Sequence, residues 1–123
     1  MMLNYFGRGL TTAEADWLLV GLSRAEQRAA RQANLANNAL DETPPAVLHL
    51  ASLEALWLAH NRIERLGAAT RLVNLRLLDL SDNRLEQLPA AVARMMLLEE
   101  LYLKDNRLTA LPKEAKRMIE LRV

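Results

Sequence analysis

His60, Asp82 and Asp105 follow one another at intervals of 22 and 23 residues, with Asp79 and Ser81 beside Asp82. An imidazole, a hydroxyl and a carboxylate are the ingredients of nucleophilic hydrolysis. They work only if the hydroxyl is bonded to the base, a third group orients that base, and an oxyanion pocket is at hand. A second set of candidates is Trp57 and Tyr102, with Leu77, Glu100 and Lys104 in the same stretch of chain. Large aromatics on a surface dominate the energetics of protein recognition. The 123 residues include no Cys and two His. Disulfides and thiolate metal sites are therefore excluded, and a zinc site has almost nothing to draw on. There is no Gly-rich phosphate loop and no paired-carboxylate cleft pattern. No cofactor is expected.

Which chemistry these residues serve depends on the elements that position them. The chain holds 27 Leu and 19 Ala, a bias that calls for a search for internal repeats. Three segments align without gaps, 53–66, 75–89 and 98–112. The first carries Leu53, Leu56, Leu58, Asn61, Ile63 and Leu66; the second Leu75, Leu78, Leu80, Asn83, Leu85 and Leu88; the third Leu98, Leu101, Leu103, Asn106, Leu108 and Leu111. A weaker copy over 30–44 places Asn38 in the same frame, with Ala30 and Ala33 at two of the Leu positions.

This pattern resembles the leucine-rich repeat family over residues 30–112. The copy beginning at Leu53 resembles the shorter 22-residue subtype, and the two with Leu-Pro after the Asn resemble the 23-residue subtype. The resemblance implies an α/β solenoid with short parallel strands on the inner face and turns or short helices outside. It also implies partners that are usually proteins.

Elementary physical chemistry leads to the same picture. In Leu78-Asp79-Leu80 the alternation is that of a strand, with both Leu inward and Asp79 outward. Strands this short must pair with those of the next repeat. An Asn side chain offers both an acceptor and a donor, so a stack of Asn38, Asn61, Asn83 and Asn106 can satisfy the turning backbone from inside. Val47 and Leu50, Ala69 and Leu72, and Val92 and Met95 keep a three-residue spacing that suits a helical turn behind the sheet.

At the N-terminus, Thr11 with Glu14 and Ser23 with Glu26 fit capping boxes. They predict helices over 12–20 and 24–32, with Trp17 and Leu18 or Leu22 covering the first repeat. Residues 1–29 are expected to form a helical cap, 30–112 the repeats, and 113–123 either a capping helix or the start of a fifth repeat. Pro112 suits the first turn of such a helix.

In the repeat frame, the third, fifth, seventh and eighth residues face outward from the sheet, and each position forms a stripe across neighbouring strands. Trp57, Asp79 and Tyr102 share one stripe, His60, Asp82 and Asp105 another, Leu77 and Glu100 a third, and Lys104 a fourth. An open strand face has no oxyanion pocket, so His60, Ser81 and Asp82 are not expected to act as a triad. The expected function is non-catalytic protein binding on this face, by Trp57, His60, Leu77, Asp79, Asp82, Glu100, Tyr102, Lys104 and Asp105. The acidic residues suit a partner with a basic surface; the plainer reading of them is a solvated face. The alternative function is a structural or regulatory segment of a larger multidomain protein. A formal charge of +1 gives no bulk attraction to nucleic acid or an anionic membrane. No apolar run approaches the ~20 residues of a membrane span. Without Cys or a secretory signal pattern, the expected location is cytoplasmic.

Overall fold

The computed structural model describes residues 1–110 and 113. Five parallel strands form one sheet in chain order: β1 (Met2–Asn4), β2 (Gln32–Asn34), β3 (Ala55–Trp57), β4 (Leu77–Asp79) and β5 (Glu100–Tyr102). The register follows the repeat frame. Ala33, Leu56, Leu78 and Leu101 are partners from each strand to the next, as are Asn34, Trp57, Asp79 and Tyr102. Behind the sheet the chain returns from strand to strand through the 3-10 helices Pro45–His49, Gly67–Arg71 and Ala90–Arg94. A 3-10 helix repeats every three residues, which is why Val47 and Leu50, Ala69 and Leu72, and Val92 and Met95 all turn inward and are buried. The α/β solenoid expected from the repeats is the observed fold.

The coils of β3 and β4 each contribute two leucines to a continuous core, and Leu56, Leu58, Leu78 and Leu80 are fully inaccessible. The asparagines close the coils. The Asn83 amide donates to Leu80 O and Ser81 O of its own coil and to Leu58 O of the preceding one, while its Oδ1 accepts from Ile63 N–H. Asn61 and Asn106 repeat the pattern. Backbone groups left open where the strands turn are thereby satisfied without water, as buried polar groups must be.

The N-terminal region differs from its expectation in two ways. Two α-helices do form, α1 (Thr12–Val20) and α2 (Arg24–Ala29), both opened by complete capping boxes at Thr11 and Ser23. They are preceded, however, by a further coil outside the expected repeats. Met2, Leu3 and Asn4 pair with Gln32, Ala33 and Asn34, and Arg8 and Leu10 donate their N–H groups to Asn38 Oδ1. Residues 2–10 therefore occupy the place of a repeat, with Leu3 buried at the position of Leu56. The second difference is Trp17. It is 75% exposed, and α1 instead buries Ala15 and Leu19 against the first coils. Asp16 Oδ1 accepts from Ala46 N–H at 2.7 Å, and the Thr12 hydroxyl pairs with Asp41. These bonds fix the rotation of α1 and leave Trp17 on its outer side. α2 ends at Ala29 and not at residue 32 because Gln32 is already strand. The helix expected over 113–123 lies outside the described residues, apart from Lys113.

Candidate inner-face binding site

The open face of the sheet is built from the third and fifth positions of each coil, whose side chains point away from the core. Leu77, Asp79, Glu100, Tyr102 and Trp57 are all half-buried here, whereas Ala55 and Ala59 are buried. In-register pairing puts Trp57, Asp79 and Tyr102 side by side on β3, β4 and β5, about 4.8 Å from strand to strand. The Tyr102 hydroxyl donates to Glu100 Oε1 at 2.8 Å, which ties the Tyr102 ring to the third-position stripe.

Asp79 has a local task as well. Its Oδ1 accepts from Ser81 N–H at 3.0 Å, two residues on. Asn34 does the same for Ala36 N–H and Asn4 for Phe6 N–H. A short acceptor at the fifth position thus shapes the exit from the strand. Trp57 and Tyr102 occupy that position without a side chain able to play this part.

The eighth-position stripe has a backbone explanation. Asn37, His60, Asp82 and Asp105 all have positive φ, between 54° and 59°, and Gly7 holds the same place in the first coil. The conformation lets the N–H groups of Gly7, Asn37, His60 and Asp82 reach the next coil: His60 N–H bonds Ser81 O and Asp82 N–H bonds Lys104 O. Asn, Asp, His and Gly are the residue types that tolerate this region best. The acids at 82 and 105 are therefore suited to their backbone first, and their charge is a further property. His60 Nδ1 meets Asp82 Oδ2 at 2.6 Å. Among the described residues no hydroxyl bonds to His60, so Ser81 and His60 do not meet as nucleophile and base. Lys104 and Asp105 are exposed at the C-terminal end of the face.

The structure brings the nine expected residues onto one surface, with His60, Asp82, Lys104 and Asp105 along its margin. Two features of the surface were not anticipated. The second-position residues alternate in charge and pair across coils, Arg31 with Glu54 at 3.0 Å and Arg76 with Glu99 at 2.8 Å; the Arg-Glu-Arg-Glu order at that position was the available signal. On the outer side of α1, Trp17, Leu10, Ala13, Glu14 and Leu18 line a shallow, mostly apolar hollow of about 350 Å³. Arg62, Arg84 and Arg107 are exposed beyond the asparagines. Among the described residues no cluster of side chains could hold a metal ion, and no helix is long and apolar enough to cross a membrane.

Comparison with known proteins agrees with this geometry. The leucine rich repeat family model matches residues 34–85. A solved structure of a leucine-rich repeat protein from Leptospira interrogans is similar, with 31% identity and a TM-score of 0.70 over 81% of this chain. The aligned region is 26% of that protein, so the chain spans about a quarter of its length. Curated proteins give no match.

Proposed function

We propose that this chain, a member of the leucine-rich repeat family, holds a protein partner on its open strand face and catalyses no reaction there. Proteins of this family and fold commonly serve as protein-interaction modules. The observation that carries the reading is the pair Trp57 and Tyr102, two partly exposed aromatics in one stripe of the parallel sheet, Trp57 on a strand paired on both sides and Tyr102 on β5, which pairs with β4. Neither is needed to fill the core. A rigid strand platform loses little conformational freedom on binding, so contact area at such residues converts efficiently to affinity. The charges favour a basic partner: Asp79, Asp82 and Asp105 stand on or beside the face, against Lys104 among the described residues. Complementary charge of this kind speeds encounter and selects partners.

The test is a pull-down with the purified protein, comparing Trp57→Ala/Tyr102→Ala with Arg62→Ala/Arg84→Ala at matched stability. Each aromatic substitution is expected to weaken the captured partner by about 1–4 kcal/mol, and the arginine pair to leave it in place. Loss of the partner in the arginine variant alone would move the site to the loop edge.

A further inference from the structure

We propose that the notch between Trp57 and Tyr102 is a receptor for an arginine side chain of the partner, with Asp79 as its counter-charge. The proposal rests on the inner-face reading and names the group that face takes.

Three observations carry it. The first is juxtaposition: Trp57, Asp79 and Tyr102 are register partners on consecutive strands, so a short carboxylate lies between two aromatic side chains. The flanking strands are about 10 Å apart, two sheet spacings. A flat group touching both rings needs them about 7–8 Å apart, twice a normal contact distance. A lean of the Trp57 side chain supplies the difference. Guanidinium is flat, stacks on aromatic faces and donates hydrogen bonds from its edge, whereas ammonium is compact and strongly hydrated.

The second observation is that the charge of Asp79 exceeds what its backbone requires. Asn4 and Asn34 stand at the same position and accept the same N–H bond two residues on, at 3.2 and 3.0 Å, against 3.0 Å for Asp79. A neutral amide does that job equally well. The bond engages Oδ1, and among the described residues no cation lies within ion-pair distance of the Asp79 carboxylate. A half-buried carboxylate with one oxygen engaged by backbone offers the other to an incoming donor, and a charge-assisted bond of this kind is stronger than a neutral one.

The third is the balance of charge around the notch. Asp82 flanks it in the neighbouring stripe, and Lys104 is the single Lys or Arg at the third, fifth, seventh and eighth positions of the four repeat coils. A cation entering here meets a favourable field.

The experiment titrates the full chain with the amide of Nα-acetyl-arginine, following the Trp57 indole N–H and the Ser81 amide by NMR, with the Trp17 indole as internal control. Saturable shifts at Trp57 and Ser81 are expected at about millimolar probe, the scale of a few weak contacts, with Trp17 unmoved. The uncharged citrulline analogue is expected to give none, and the lysine analogue to bind several-fold more weakly. Asp79→Asn keeps the Ser81 bond and is expected to lower arginine affinity roughly tenfold or more. Equal response to citrulline or lysine, or an unchanged affinity in Asp79→Asn, overturns the proposal. The two readings fail separately. A partner lost in Trp57→Ala/Tyr102→Ala but retained by Asp79→Asn leaves the inner face standing and removes the arginine notch. Asp79-dependent arginine binding with a partner indifferent to the aromatics leaves the notch and removes the inner face as the partner's site.

Discussion

His60 Nδ1 lies 2.6 Å from Asp82 Oδ2, and both residues hang from a left-handed backbone, with φ of 56° and 54°. The two are equivalent residues of adjacent coils. Both side chains are more than half exposed, so their pairing contributes at most about 1 kcal/mol. The backbone matters more. His60→Asn is expected to leave stability nearly unchanged, whereas His60→Val is expected to cost about 1–2 kcal/mol, since a β-branched residue resists this conformation. Urea unfolding of the two variants makes the comparison, and equal midpoints would contradict the assigned turn.

The central coil separates core from surface residue by residue. Leu80→Asp puts an unpaired charge where a fully buried leucine stood and is expected to give no cooperative melt. Asn83→Ala strands the Leu58 and Leu80 carbonyls and the Ile63 N–H, and is expected to cost about 1–3 kcal/mol. Asp79→Ala removes one exposed-side acceptor, and about 0.5–1.5 kcal/mol is expected. A soluble, cooperatively melting Leu80→Asp protein would sink the register.

Thr43 is 1% exposed, and its hydroxyl has no hydrogen-bond partner among the described residues. It occupies the core position that Leu66 and Leu88 fill in later coils. Thr43→Val keeps the shape and removes the unpaired group, so a gain of about 1 kcal/mol is expected. Thermal unfolding reads this directly; a lower melting temperature would mean that the hydroxyl is satisfied.

Glu14 accepts from the Thr11 backbone and side chain, and Glu26 from the Ser23 backbone. Backbone hydrogen bonding first, and the capping side chain second, hold both carboxyls below their ordinary 4.5. With the folded value below the unfolded one, the caps support α1 and α2 fully above that ordinary value. Their support fades as pH falls through the lowered folded values. NMR titration of the two carboxyl carbons should show midpoints under 4.5, moving back toward it in Thr11→Ala and Ser23→Ala. Ordinary midpoints in the wild type would break the capping-box assignment.

Much of the fold is legible because the repeat writes the same physical requirement several times. Leu56, Leu78 and Leu101 share a frame with Asn61, Asn83 and Asn106, and each strand supports the next. The first coil escaped because Arg8 stands where the ladder Asn would be, and because α1 and α2 stretch its spacing to the next coil from 23 residues to 30. Leu3, Gly7 and Leu10 were its remaining traces. Trp17 was misplaced because α1 is apolar nearly all round, so periodicity could not choose a buried side; the bonds from Asp16 and Thr12 chose it. The stripes of the candidate site could be listed from the frame alone. That the eighth stripe is left-handed, and that Asp79 shares its backbone duty with Asn4 and Asn34, shows only in the folded backbone.

The bonds of the ladder asparagines across coils have a direction. Asn61, Asn83 and Asn106 each reach toward the coil before them, to Leu35, Leu58 and Leu80 carbonyls, and take an N–H from that same coil at Leu40, Ile63 and Leu85. On the ribosome, where the N-terminal part emerges first, each new coil therefore meets its asparagine's partners already made. Assembly can keep pace with synthesis one coil at a time, and no asparagine has to wait for sequence still to be translated.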